Sequence, residues 1–381
     1  MPTAQAEEFS TCAARLHSEI VTETSKATAD ALFADVAEIP RVVAADRSQP
    51  EFTETFRAYY TKRVSATRIE KGRALLEEQS ALLGELQHQY GVQAPYLVAL
   101  WGLETNFGGY MGKLHIPSAL TTLACDGRRA KFFASELKAV AQIVEAGHMQ
   151  PAEMVGSWAG AMGHMQFMPS TFLAYAVNGD DTPGANVYQS LPDALASGAN
   201  FLNHLGWRAG YRWGREVKLP ENFDLSLAHE NNWQPLSSWR AMGVTDVDGN
   251  PVADLELSSA IVLPSGHQGP AFAVYPNFRV LMRWNRSVNY ALSVGRLADR
   301  IAGLGALDQP WPKDEDIQLS SSEIKFIQST LGQRGFDAGP SDGIAGAGTR
   351  AAIRAYQAEA GLPPDGFPSR ALLAALKAPG E

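Results

Sequence analysis

Apolar residues recur at i, i+3, i+4 and i+7 through most of the first 205 positions. This spacing predicts helices over 9–27, 69–90, 96–106, 130–146 and 191–205. Beyond about residue 216 the pattern changes. VKLPENFDLSL, GVTDVDGNPVADLEL and SAIVLPSG are short β-branched runs broken by Pro, Gly and Asn, and they predict a small β-rich excursion over about 216–275. Helical spacing returns over 288–304. The expected fold class is therefore mainly α.

ALDQPWPKDEDIQLSSS, residues 306–322, interrupts this pattern with Pro, Asp and Ser and reads as an interdomain linker. The last sixty residues then carry an internal duplication. IKFIQSTLGQRGFDAGPSDGIAGAGTRAAI is echoed by AIRAYQAEAGLPPDGFPSRALLAAL, each half with an apolar-x-Gln helix, an Asp-Gly turn and a second helix. Thr349 and Ser369 stand where those second helices should begin. The expected organisation is a main domain over 1–305, a linker over 306–318 and a small helical module over 319–378.

Composition narrows the function. Hydrophobic residues make up 45% and charged residues 19% of 381, which suits a soluble protein long enough for two domains. The net charge of −9, with no cationic run, argues against a nucleic-acid partner. No apolar stretch is long enough to span a membrane. The start, MPTAQAEEF, has no basic or apolar leader region, and Ala4-Gln5-Ala6 resembles the small-x-small pattern of a signal-peptidase site. A trimmed signal peptide is the expectation. Cys12 and Cys125 either pair, in an oxidising compartment, or lie apart as buried thiols. No CxxC motif or His/Cys cluster points to a metal, and no cofactor is expected.

The sharpest chemical feature is APYLVALWGLETNFGGYMG. On a helix, Leu97, Leu100, Trp101 and Glu104 share one face, so a carboxylate meets an apolar wall beside an indole. Desolvation there should raise its pKa, as a general acid requires, and Gly108-Gly109 should end the helix near a cleft rim. The plainer alternative is a structural Glu–Arg bridge. A second feature is GSWAGAMGHMQFMPSTFLAYA, where small residues alternate with Met, Phe and Trp around Gln166. Such a lining suits a sugar ring; it also suits a tightly packed helix pair with Ser170 or Thr171 as an N-cap.

WGLETNFG, followed by SWAGAMGHMQFMPSTF, resembles the membrane-bound lytic transglycosylase B family, whose fold is lysozyme-like. GRRAKFF at 127–133, DALASGANFLNHLGW at 193–207, GPAFAVYPNF at 269–278 and RWNRSVNYALSV at 283–294 extend the likeness over nearly all of 9–304. SDGIAGAGTRAAI and AYQAEAGLPPDG resemble the common peptidoglycan-binding domain. The resemblance implies a periplasmic enzyme, soluble after signal removal, that acts on peptidoglycan glycan strands. It implies Glu104 as the single acid/base. Ser157, Met165 and Gln166 would line the cleft, Trp284, Asn285 and Tyr290 would close over the same sugar, and Arg128 and Arg129 would face the substrate. In the module, Asp342, Thr349, Arg350 and Gln357 are the candidate wall contacts, with Asp365 a weaker one; turn and cap roles, for Asp342 and Thr349 above all, explain the same residues.

Some members of the family carry a calcium loop after the MPS segment. Here Asn178 to Gln189 has Pro183 at the sharp-turn position and Gln189 in place of the bidentate Glu, so bound calcium is not expected. Glu136, Glu145 and Glu153 read as residues on solvated helix faces. A single placed carboxylate fits a non-hydrolytic cleavage that leaves 1,6-anhydro-MurNAc ends better than two-carboxylate hydrolysis. A hydrolytic muramidase and a non-catalytic wall-binding scaffold are the competing readings. The resemblance singles out no partner among the proteins of wall synthesis and division.

Overall fold

Ser25 divides the first apolar run. Its hydroxyl accepts the Thr28 N–H and starts a new helix, so Phe9–Val21 and Lys26–Phe33 replace the single expected element. The next long run is likewise two helices, Ala66–Glu78 and Ser80–Tyr90, separated at Gln79. These details come from a computed structural model that describes residues 8–47, 53–180, 182–312 and 318–378. Ala4-Gln5-Ala6, Asp181 and linker positions 313–317 lie outside the described residues.

The chain divides into two compact units, Met1–Gln49 with Lys71–Leu205 and Pro50–Glu70 with Gly206–Glu381. The first is helical. Ala94–Thr105 packs on Ser80–Tyr90 and Leu191–His204, and Ile116–Cys125 packs on Ala130–Glu145. Ile116–Cys125 escapes the periodicity argument: it is ten residues long, and Ser118, Thr121 and Thr122 are buried along with its apolar residues, so no polar face points outward. One short ribbon, β1 (Leu114–His115) against β2 (Val155–Gly156), leads into the segment that carries Ser157 and Gln166.

In the second unit, β3 (Gly214–Val217), β4 (Gln234–Pro235), β5 (Ser258–Val262) and β6 (Ala271–Val274) form the expected β-rich excursion. All pairs are antiparallel, in the order β3-β6-β5-β4, with Glu216 opposite Phe272 and Ile261 opposite Ala273. The sheet buries Trp239, Ile261 and Val217. Pro276–Trp284 and Val288–Ile301 follow it. Residues 306–312 are held in place. The buried Glu216 accepts the N–H groups of Asp308 at 2.9 Å and Gln309 at 2.8 Å, and the Trp311 ring lies 5.7 Å from both Phe56 and Tyr60.

The terminal module has helices Ser321–Gln333, Ala347–Glu359 and Arg370–Lys377 around Ile327, Leu331, Ile353 and Leu372. The duplicated motif becomes a duplicated lock. The buried Gln328 accepts from Gly343 N–H and donates to Asp342; Gln357 does the same with Gly366 and Asp365. No helix of the described residues is long and apolar enough to cross a membrane.

Cys12 and Cys125 are joined by a disulfide across 113 residues, tying the first helix to Ile116–Cys125. Closing so long a loop restricts the unfolded chain. Cys125→Ser is therefore expected to lower stability by about 2–4 kcal/mol, measured as a lower urea midpoint, and the reduced wild type should show the same shift.

Candidate active site

From Tyr96 to Thr105, only Leu103 and Glu104 escape burial. The helix is buried on most sides rather than on the one face expected, and Glu104 is the charged group at the point where it surfaces. Burying Leu97 and Leu100 contributes roughly 1.5–3 kcal/mol each, so the frame under Glu104 is firm.

The helix ends before Gly108-Gly109. Asn106, Phe107 and Gly108 are consecutively left-handed, with φ of 52°, 60° and 74°. Thr105 holds this turn: its hydroxyl donates to the His164 carbonyl at 2.9 Å and accepts the Gly108 N–H at 2.9 Å. Trp101 Nε1 donates to His164 Nδ1, also at 2.9 Å, and the Lys71 ammonium lies 5.3 Å from the Phe107 ring centre. Among the described residues, the non-glycines with positive φ are Asn106, Phe107 and Gln166. Each such residue costs on the order of 1–3 kcal/mol, and in this chain they gather beside the expected acid and the expected lining residue.

Gln166, with φ 48°, lies in a segment of tight turns in which Met162 and Phe167 exchange backbone hydrogen bonds. Its amide nitrogen donates to the carbonyls of Met111 at 3.2 Å and Gly163 at 3.0 Å, which leaves the amide oxygen to accept from a ligand. The Ser157 hydroxyl accepts the N–H groups of Ala159 and Ala161, leaving its own proton to donate. The segment lies close against its surroundings. A Cβ on Gly112, where φ is +95°, would lie 2.0 Å from the Gly156 carbonyl oxygen, so glycine is required there.

The chain that carries this arrangement is similar to known proteins. Residues 8–299 match the family described as Transglycosylase SLT domain, and residues 320–376 match Putative peptidoglycan binding domain. The chain belongs to the SLT transglycosylase family. It is 30% identical over 250 residues to Membrane-bound lytic murein transglycosylase B of Escherichia coli K12, a match spanning 64% of this chain and 66% of that relative, just under two thirds. SltB3 from Pseudomonas aeruginosa, in complex with NAG-anhNAM-pentapeptide, is 42% identical with a TM-score of 0.92, covering 98% of this chain and all of that one. SltB1 from the same organism is 29% identical with a TM-score of 0.68, covering 76% of this chain and 98% of that one.

Several residues expected to contact substrate in this SLT transglycosylase also carry contacts within the fold. Met165 is 1% exposed, with its methyl end against Gly198, and packs the core. Arg128 and Arg129 do not present an unpaired cationic surface. Both bind the buried Asp46, Arg128 through a 2.5 Å bond to its carboxylate and another to its backbone carbonyl, and Arg129 also lies over the Phe133 ring. Asp46, at the end of helix Pro40–Asp46, was not singled out from sequence. Glu136 is buried rather than solvated. It accepts from both the N–H and the hydroxyl of Ser170, so it caps Pro169–Tyr175 and displaces the N-cap role expected of Ser170. Glu145 is exposed, its pKa held below the usual range by hydrogen bonds from Thr28 and Ser25. Glu153 completes a capping box with Gln150.

Trp284, Asn285 and Tyr290 belong to the second unit. Trp284 and Asn285 are half-buried at the end of Pro276–Trp284, and Tyr290 is buried in the first turn of Val288–Ile301, its N–H donating to Ser287. In the module, Thr349 and Gln357 are buried, and the Thr349 hydroxyl donates to the Ala338 carbonyl rather than capping its helix, which begins after Gly346. Asp342 is exposed but accepts from Gln328 and from Ile344 N–H. Arg350 donates to the Ala345 carbonyl, and burial lowers its pKa. Asp365 accepts from His267 at 2.6 Å. Each of these side chains thus has a partner within the fold.

In the 178–189 loop Asp180 accepts from Thr182 and Ser190, and the buried Asp193 accepts the N–H groups of Gly179 and Asn186. Among the described residues no cluster of three His, Cys, Asp or Glu side chains could hold a metal.

Because Asp46 compensates two cations, Asp46→Asn should lower stability by about 1–3 kcal/mol, discounted from the cost of breaking a fully buried pair because the arginines are 41% and 36% exposed. A urea titration reads this, and an unchanged midpoint would show that the arginines do not need it.

Proposed function

We propose that this SLT transglycosylase is a lytic transglycosylase that cleaves the β-1,4 bond between MurNAc and GlcNAc without water, with Glu104 acting first as acid and then as base. The carrying observation is Glu104 itself: the charged group that emerges from a buried helix, with Thr105 alone between it and three left-handed residues. Glu136, on another helix, is buried and committed to Ser170, which argues against it as a second catalytic carboxylate. The anhydro sugar named in the SltB3 complex has the chemistry of the proposed product.

In the proposed sequence Glu104 donates its proton to the glycosidic oxygen as the bond from that oxygen to C1 breaks. The MurNAc acetamide carbonyl stabilises the positive charge developing at C1. The Glu104 carboxylate then takes the proton of the C6 hydroxyl, whose oxygen bonds to C1 and closes the 1,6-anhydro ring. Intramolecular attack beats water because the C6 oxygen is already held close. Ser157 and Gln166 supply a donor and an acceptor for the acetamide, and Trp284 and Asn285 are the second unit's proposed sugar contacts.

The terminal module is assigned to holding the enzyme on the wall and raising the local concentration of glycan. A periplasmic location follows from that substrate and fits the Cys12–Cys125 disulfide, which requires an oxidising compartment.

Glu104→Gln should keep the fold and bind glycan while turnover falls about a hundred- to ten-thousandfold, the range for losing a general acid. Turnover near wild type would remove Glu104 from the chemistry. Mass spectrometry of digested sacculi separates the reaction types, because the anhydro product is lighter than the hydrolytic one by a water. Removing residues 318–381 should weaken sacculus binding more than turnover on short soluble glycans, and equal losses in both would argue against a tethering role.

A further inference from the structure

His164 connects two points on the Glu104 helix to the loop bearing Ser157 and Gln166. Its Nδ1 accepts the Trp101 indole N–H, three positions before Glu104. Its carbonyl accepts the hydroxyl of Thr105, the residue after Glu104. Its own N–H donates to the Val187 carbonyl at 3.0 Å, fixing it from the opposite side. Its ring fills the space beside Gly108, where a Cβ would come within 2.4 Å of Cε1. Trp101 in turn sets its ring edge-to-face against both His164 and Phe107, at 5.7 and 5.6 Å. Ring, N–H and carbonyl of His164 are all engaged, and two of those contacts bracket Glu104.

We propose that His164 is a positioning residue for the transglycosylase reaction: it clamps Trp101, Thr105 and the Gly108 turn together and so aims the Glu104 carboxyl at the glycosidic oxygen. The assignment rests on the reading of Glu104 as acid/base. The bond to Trp101 requires Nδ1 to be unprotonated, and burial of the ring lowers its pKa, with a hydrogen bond to the Tyr188 backbone opposing that shift. The clamp is therefore set with the imidazole neutral, the form able to accept from the indole. A purely structural histidine would affect stability alone. A positioning histidine acts on the bond-breaking step, where misplacing a catalytic group by about an ångström costs up to roughly a hundredfold.

The test compares His164→Ala, His164→Asn and Trp101→Phe with wild type for kcat and KM on soluble glycan oligomers, alongside thermal melting. His164→Ala should lower kcat about ten- to a hundredfold, with KM changing less than about twofold. His164→Asn, which retains an acceptor near the place of Nδ1, should recover most of the loss. Trp101→Phe removes only the donor and keeps the aromatic packing, so it carries the test if His164→Ala does not fold. The double variant Trp101→Phe/His164→Ala should lose little beyond the worse single one. Wild-type kcat in folded Trp101→Phe and His164→Asn together with wild-type kcat in His164→Ala, a loss confined to KM, or additive losses in the double variant would each overturn the proposal. Glu104→Gln is assayed in parallel. If it is inactive while the His164 and Trp101 variants turn over normally, only the positioning role falls; if it turns over normally, the acid/base reading falls and this proposal with it.

Discussion

The hydroxyl of Thr105, shared between the His164 carbonyl and the Gly108 N–H, is the constraint on which the candidate site depends. A helix that ends in a left-handed glycine needs little help, because glycine meets no Cβ penalty there. This helix ends in left-handed Asn106 and Phe107 first, and neither conformation persists unless the surroundings enforce it. Thr105 supplies that enforcement by joining the end of the helix to a backbone carbonyl fifty-nine residues further along the chain. The turn that follows Glu104 is thus held by a tertiary contact rather than by glycine alone. The same contact brings the Gly163–Gln166 turn beside it, so acid and polar loop share one anchor.

The module applies the same physics without the chemistry. A buried glutamine amide offers two donors and an acceptor, and each must be met inside the core. Gln328 and Gln357 meet them with the Asp-Gly turn of their own half-repeat, which accounts for the co-occurrence of the Gln and the Asp-Gly pair in both halves. A side chain that looks available in sequence because it is polar and next to glycine can be the one that closes the turn. Thr349 illustrates this, turned inward onto the Ala338 carbonyl.

Longer helices with apolar residues at helical spacing were legible: Ala130–Glu145, Leu191–His204 and Val288–Ile301 lie within a few residues of their expected spans, although the last is buried at nearly every position. Ile116–Cys125 and Phe56–Arg63, ten and eight residues long, were too short to show a period. Glu136 was legible and was misread. It shares a helical face with Phe133, Leu137 and Val140, so its spacing already placed it inside. Asp46 carried no such signal, because its partners lie eighty-two and eighty-three residues away and nothing local marks it. An isolated histidine among Gly, Met and Phe, as His164 is, does not reveal that its ring accepts from a tryptophan on another element.

What tertiary structure adds to the two polar lining residues is direction. In sequence, Ser157 and Gln166 are each donor and acceptor at once. In the fold, the serine oxygen is occupied by two backbone N–H groups and the glutamine nitrogen by two carbonyls. Each residue therefore presents only its other end: a hydroxyl proton from Ser157 and an amide oxygen from Gln166. A donor and an acceptor of fixed sense suit a ligand that offers a carbonyl and an N–H, as an acetamido sugar does, and they suit water less, since water can satisfy either sense and gains nothing from the fixed pairing. The backbone turns that occupy one end of each side chain are what would make this candidate pair selective.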